Sequence, residues 1–313
     1  MNATFKLTTA LPLCLLLASC SNPSQSSQSS STSENNAATT SQASTQAPVL
    51  RVAAAANLAT VLPIVIDAYQ STHNQAQDNA SKDKPNPNPK IEVTYASSGK
   101  LFAQINSGAP YDLFLSADQD FPAKYAMQHP LNNPAAKPFT YARGQLALYS
   151  SNHDLSAVKT LDKASLQRLF ITEPINSIGA IKSHIKTDIK ISLANPELAP
   201  YGASAKAFLQ QQGVYDSLSD HKQLIQAENI GQAFQYAHTA TTDYGFVALS
   251  QLISAQVQPS KYRILDTKSY PAILQDGIVV SDNPQATDFS QYLQSKTAQN
   301  LFAKAGYLPV NSH

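Results

Sequence analysis

From Val49 onward the chain repeats one unit: a short apolar run, a small or hydroxyl-bearing residue, then apolar residues at helical spacing. Residues 49–56 read Val-Leu-Arg-Val-Ala-Ala-Ala-Ala, the nearly continuous apolar run of a strand buried on both faces. Asn57 follows as a good helix N-cap, and Leu58, Val61, Leu62, Val65, Ile66 and Tyr69 recur at helical spacing. Pro63 lies in the second turn of that helix and predicts a local kink. Residues 75–90 are polar and proline-rich and read as an enlarged surface loop. Residues 91–95 alternate like a strand, Ser97-Ser98-Gly99 introduces a helix over 101–107, and Gly108 closes it. A strand at 111–115 leads through Ser116-Ala117-Asp118 into another helix. Further strands are expected at 144–149, 189–194, 244–248 and 272–280, with helices near 202–211, 229–236 and 285–293 and a short one before Gly306. Such alternation predicts an α/β chain with parallel sheets wrapped by helices. The two similar blocks predict two lobes, residues 49–140 with 281–313 and residues 141–280, although no residue-level repeat links them.

The same device marks where chemistry can occur. Four times a strand or loop ends at a small or hydroxyl-bearing residue where a helix begins: at Asn57, Ser97-Ser98, Tyr201-Gly202 and Asn229-Ile230. In parallel α/β sheets these junctions point to one side. Each helix start offers unpaired N–H groups and about half a positive charge. Taken singly, each is ordinary helix termination; converging on one cleft, they form an anion site that needs no cation. Enzyme signatures are missing. No G-x-S-x-G elbow, H-E-x-x-H or P-loop occurs, and the seven His show no metal-ligand spacing.

Charge narrows the partners. There are 22 Lys+Arg against 21 Asp+Glu, and the only charge among residues 1–19 is Lys6, so the remainder is neutral overall. That balance gives no basic surface for nucleic acid. Both cysteines, Cys14 and Cys20, fall in the N-terminal leader, so the folded part has neither a disulfide nor a thiolate metal site. The leader has a thin positive start at Lys6 and an apolar run over 11–18. That run is too short to cross about 30 Å of hydrocarbon, which takes roughly 20 apolar residues, and it reads as a signal peptide over 1–19. Residues 21–48 are mostly Ser, Gln, Thr, Asn and Ala; such a segment buries too little to offset its ordering entropy and reads as a flexible linker.

Two resemblances sharpen this picture. Leu17-Ala18-Ser19-Cys20 resembles the lipobox of bacterial lipoproteins. The resemblance implies cleavage before Cys20 and lipidation of that residue; the other reading is an ordinary secretory leader with a chance cysteine at the cut. More than one acyl chain would hold the protein firmly, since each buried CH₂ adds about 0.8 kcal/mol. Residues 53–58 (Ala-Ala-Ala-Ala-Asn-Leu), 95–101 (Tyr-Ala-Ser-Ser-Gly-Lys-Leu) and 108–118 (Gly-Ala-Pro-Tyr-Asp-Leu-Phe-Leu-Ser-Ala-Asp) resemble the molybdate-binding proteins of bacterial ABC importers. The match continues through residues 195–202 and 245–250, and the string over 108–118 is its most specific part.

That resemblance implies a two-lobed periplasmic binding fold of type II with an oxyanion, molybdate or tungstate, in the cleft. It implies Asn57 and Ser98 as side-chain ligands, and Tyr201 through its backbone N–H or its hydroxyl. It implies Ile230 as a backbone donor. Some members use a Tyr where this chain has Ala248, so Tyr201 is the residue to supply a hydroxyl here. No cofactor is implied. The partners are an ABC permease and, through the anchor, a membrane; the chain is expected to be an exported, periplasmic-side monomer that is not an enzyme.

The chemistry of the guest agrees. A tetrahedral dianion offers only acceptors, so its cage should be all donors. Partly protonated phosphate would want a buried carboxylate, and none occupies the four positions. Asp112 and Asp118 read as backbone caps and Lys100 as a solvated first-turn side chain. Sulfate, also a donor-seeking dianion, stays open as an alternative guest. A secreted hydrolase using Ser98 or Ser116, and a structural lipoprotein with a degenerate cleft, are the readings from other classes.

Overall fold

The computed structural model describes residues 49–78, 90–130, 137–171 and 188–310. The leader, Cys20, the linker, His184 and His313 lie outside the described residues, as do 79–89 of the expected loop.

The first lobe opens with strand β1 (Val49–Ala55), whose last four residues are all buried. A 3-10 turn, Ala56–Leu58, follows it, and helix α1 runs over Leu62–Asp78. The α-helix therefore starts four residues later than the N-cap reading of Asn57 requires. Pro63 sits second in α1, where its missing N–H is an orphan in any helix, so the expected kink has no cause. The helix also takes in residues 75–78 of the expected loop. Strand β2 (Lys90–Ala96) alternates exposed and part-buried residues, as an edge strand should. Helix α2 (Ser98–Asn106) is followed by Gly108 at φ 85°, the left-handed residue that closes a helix. Strand β3 (Leu113–Leu115), helix α3 (Asp120–Gln128) and strand β4 (Phe139–Gly144) complete this passage.

The second lobe begins with strand β5 (Leu146–Tyr149), helix α4 (Lys163–Leu166) and a π turn over Gln167–Ile171. Strand β6 (Ile191–Ala194), helix α5 (Pro200–Gln211), helix α6 (Tyr215–Asp220) and strand β7 (Leu224–Ala227) follow. Helix α7 (Ile230–His238), strand β8 (Tyr244–Ala248), helix α8 (Leu249–Ser254) and strand β9 (Tyr262–Ile264) end it. The chain then returns to the first lobe as strand β10 (Ile273–Val279), helix α9 (Pro284–Leu293) and helix α10 (Lys296–Lys304).

Two five-stranded sheets result, in the orders β2-β1-β3-β10-β4 and β7-β6-β8-β5-β9. The strand–helix alternation therefore yields two sheets, but they are mixed rather than parallel. β10 runs antiparallel to both β3 and β4, and β5 runs antiparallel to β8 and β9. The reason is connectivity: β10 arrives from the other lobe and does not follow a helical crossover within its own sheet.

The same pairing moves the lobe boundaries. The expected single strand over 144–149 is two strands in different sheets, β4 and β5, and β10 pairs in the first sheet. The sheets divide the chain near residue 145 and between Ile264 and Ile273, whereas boundaries at 140 and 281 had been expected. Glycine is required at the first crossing. A Cβ on Gly144 would overlap the Tyr201 hydroxyl and lie 2.7 Å from its Cζ and 2.8 Å from Gln275 Nε2. Each sheet carries its own core, around Leu50, Val52 and Phe289 in the first lobe and Leu148, Phe208 and Phe246 in the second.

Candidate functional site

Five chain segments line one small cavity between the lobes. Its walls come from Ala55, Ala56 and Asn57, from Ala96, Ser97 and Ser98, from Ala117, from Ala199, Pro200 and Tyr201, and from Asn229 and Ile230. All four sequence-derived ligand positions, Asn57, Ser98, Tyr201 and Ile230, are therefore brought together. So are the starts of three helices, α2, α5 and α7. Ser98 is the first residue of α2, Tyr201 the second of α5 and Ile230 the first of α7, while Asn57 sits in the 3-10 turn. N–H groups at these positions have no intrahelical acceptor, and the N-terminal ends of three helices supply positive potential to one volume.

Among the described residues no Lys, Arg, His, Asp or Glu lines the cavity. Lys100, exposed as expected, also pairs with Glu228 at 2.5 Å, joining the two lobes beside the site. Both side chains are about half exposed, so the pair contributes about 0–1 kcal/mol. A backbone bond also joins the lobes, with Gly99 N–H donating to Leu198 O at 2.9 Å. The two expected cap aspartates serve the backbone. Asp112 Oδ2 accepts from Arg51 N–H at 2.7 Å, and Asp118 Oδ1 accepts from Phe121 N–H at 3.2 Å at the start of α3. Burial pushes the Asp118 carboxyl above its usual range.

The side chains of the four positions are held less simply than the sequence suggests. Ser98 Oγ accepts from Ala117 N–H at 2.9 Å, which leaves its own hydrogen for another acceptor. Neighbouring Ser97 Oγ is buried and has no hydrogen-bond partner. Asn57, expected to offer its amide to the cavity, gives both N–H groups to the protein: to Gln275 Oε1 at 2.9 Å and to Tyr307 Oη at 3.0 Å. The Tyr201 hydroxyl is likewise engaged, accepting from Gln275 Nε2 at 3.2 Å. Tyr201 and Tyr141 are fully enclosed, and burial raises both phenol pKa values well above normal; burial pushes Tyr307 up to about 12. None of these phenols ionises at neutral pH. Asn229 caps α7 as expected, its side chain accepting from Gln232 N–H at 3.1 Å.

Sequence reasoning missed the residues behind the wall. Gln275 of β10 and Tyr307 near the C-terminus lie 218 and 250 positions from Asn57. Gln251 donates to Ile230 O at 3.1 Å and accepts from Ala248 N–H, pinning the start of α7. The one sequence signal for them was a polar residue inside an apolar run, at Gln275 within 272–280. For the hydrolase reading, Ser116 Oγ is committed to Asp118 at 2.8 Å, and among the described residues no His lines the wall around Ser98. Among the described residues no group of three or more His, Cys, Asp or Glu could hold a metal ion.

The model of the bacterial extracellular solute-binding protein family matches residues 50–308. The chain belongs to this family. Within it, the chain is 32% identical over 222 residues to the molybdate-binding protein ModA of Rhodobacter capsulatus, covering 69% of this chain and 77% of that one. It is 28% identical over 253 residues to ModA of Escherichia coli, covering 78% and 88%. The periplasmic molybdate-binding protein of Azotobacter vinelandii superposes with a TM-score of 0.65 at 26% identity, covering 83% of this chain and 99% of that one. The two-lobed periplasmic binding fold expected from the sequence is the fold of this family member.

Proposed function

We propose that the protein captures molybdate or tungstate on the periplasmic side of the membrane and hands it to an ABC permease. Asn57, Ser98, Tyr201 and Ile230 would form the anion's cage. The observation that carries this reading is the cavity wall itself: three helix starts, two serines, two asparagines and a tyrosine, with no charged side chain of either sign among the described residues. Such a wall rejects cations, which find few acceptors, and suits an anion that needs donors and no proton acceptor. The names of the relatives select the larger tetrahedral oxyanions. Sulfate is the remaining competitor, because it asks for the same donors and differs in size. Calorimetric titration with molybdate, tungstate, sulfate and phosphate decides: micromolar or tighter molybdate binding that excess sulfate does not displace is expected, and displacement by sulfate would reassign the guest.

Ser98→Ala and Asn57→Ala should each weaken molybdate binding by about 1–3 kcal/mol, the worth of a hydrogen bond to a charged group. Unchanged affinity in both would place the guest elsewhere. Because no wall residue titrates near neutrality, affinity should stay flat between about pH 6 and 9, where a His or Cys would leave a slope. An inflection in that window would reveal a titrating ligand.

The lipobox-like residues 17–20 support a lipid anchor at Cys20, with 21–48 as the tether. Labelled palmitate should enter the wild-type protein in cells and be absent from Cys20→Ala; equal labelling would remove the anchor. The chain would act as a monomer that makes and breaks no bond.

A further inference from the structure

The two carboxamides behind the cavity present the wrong ends to an anion. With both N–H groups of Asn57 turned to Gln275 and Tyr307, its Oδ1 is a buried acceptor with no partner, on a residue that lines the cavity. Gln275 has no exposed surface and spends Oε1 on Asn57 and, at 3.2 Å, on the Tyr141 hydroxyl, whose hydrogen also points to Ser116 O at 2.7 Å. Its Nε2 faces Tyr201 Oη, so the hydroxyl hydrogen of Tyr201 is given no acceptor. An oxyanion next to Asn57 Oδ1 would meet an acceptor where it needs a donor.

The two ends of a carboxamide have nearly the same shape, and their partners decide which end faces where. Turning both side chains over gives every group a partner except the Asn57 NH₂, which is left for the guest. Gln275 Oε1 then accepts from the Tyr201 hydroxyl, and its Nε2 donates to Asn57 Oδ1 and to Tyr141 Oη. Tyr141 keeps its bond to Ser116 O. Tyr307 Oη, which donates to the Asn57 backbone carbonyl at 3.1 Å, has Asn57 Oδ1 at hydrogen-bond distance as well. Asn57 Nδ2 then takes the unpartnered place of Oδ1 and offers a donor from a residue that lines the cavity.

We propose that Gln275 is a positioning residue for the anion: in the loaded protein it holds the Asn57 carboxamide with its NH₂ toward the guest, and it does so from the lobe crossing where it also grips Tyr201. The assignment rests on the oxyanion reading above. It makes selectivity depend on a residue that does not line the cavity, on the strand that returns from the second lobe.

A double-mutant cycle in the full chain tests it, with molybdate titrated into wild type, Gln275→Met, Asn57→Ala and the double variant. Gln275→Met should weaken binding about 10- to 100-fold, as Asn57→Ala does, and the double variant should bind no more weakly than Asn57→Ala alone. Losses that multiply would show that Gln275 does not act through Asn57 and would overturn the assignment while leaving the oxyanion reading intact. No binding by wild type would overturn the oxyanion reading itself, and the assignment with it. The side-chain NH₂ signals of the wild-type protein give a readout that does not depend on any variant folding. Those of Asn57 should shift and become protected from hydrogen exchange on adding molybdate; an Asn57 NH₂ pair that does not respond would also overturn it.

Discussion

Gly202→Ala is expected to cost about 3 kcal/mol or more of folding stability and to remove anion binding with it. Gly202 is the third residue of α5, and its backbone conformation is an ordinary helical one, so conformational freedom is not its reason for being there. Space is. A Cβ at this position would overlap the Ala194 carbonyl oxygen and lie 2.6 Å from the Ala194 carbonyl carbon. Those atoms are backbone at the end of β6, a strand paired on both sides with β7 and β8, and they have nowhere to go. The helix would have to move instead, taking Tyr201 and its N–H out of the cavity wall. Thermal unfolding and molybdate titration of Gly202→Ala check both halves; a variant of wild-type stability that still binds would mean that α5 can shift without consequence.

Tyr201→Ala should be similarly severe for stability, about 3–5 kcal/mol, the usual range for deleting a large buried aromatic side chain. The ring is 2% exposed, packs into the core of the second lobe and touches the crossing glycine at 144. Its removal leaves a void and an unpartnered Gln275. Tyr201→Phe keeps the ring and its N–H and loses only the bond to Gln275. Denaturant unfolding should therefore rank wild type, then Tyr201→Phe, then Tyr201→Ala, and molybdate affinity in Tyr201→Phe should fall less than in Ser98→Ala. A Tyr201→Phe loss as large as that of Ser98→Ala would make the hydroxyl itself a ligand.

The site was legible to an unusual degree because its parts are local. A helix start is announced by the residues that make it: Asn229 before Ile230 and Ser97 before Ser98 mark donors without knowledge of any distant contact. The resemblance to molybdate-binding proteins added residue positions to a device already visible in the strand–helix alternation. What was misread was also local in origin. Asn57 looks like a cap because caps are Asn, yet the chain makes a 3-10 turn there and α1 begins at Leu62. Lys100 is exposed as expected, but its partner Glu228 lies 128 positions away and leaves no local mark.

The amino-acid sequence alone marked most of the strands and helices and the helix starts at Ser98, Tyr201 and Ile230, because apolar periodicity, glycine and capping residues act over a few positions; short elements such as β7, β9 and α6 left too little periodicity to read. It could not reveal that β10 inserts antiparallel between β3 and β4. Nor could it reveal that Gln275, Tyr141 and Tyr307 meet behind Asn57, because pairings over hundreds of residues leave no periodic mark. The tertiary structure decided those, and through them which end of each buried amide has a partner. The physical reason is that a buried polar group must find its hydrogen bond wherever the fold puts one, and only the assembled fold says where that is.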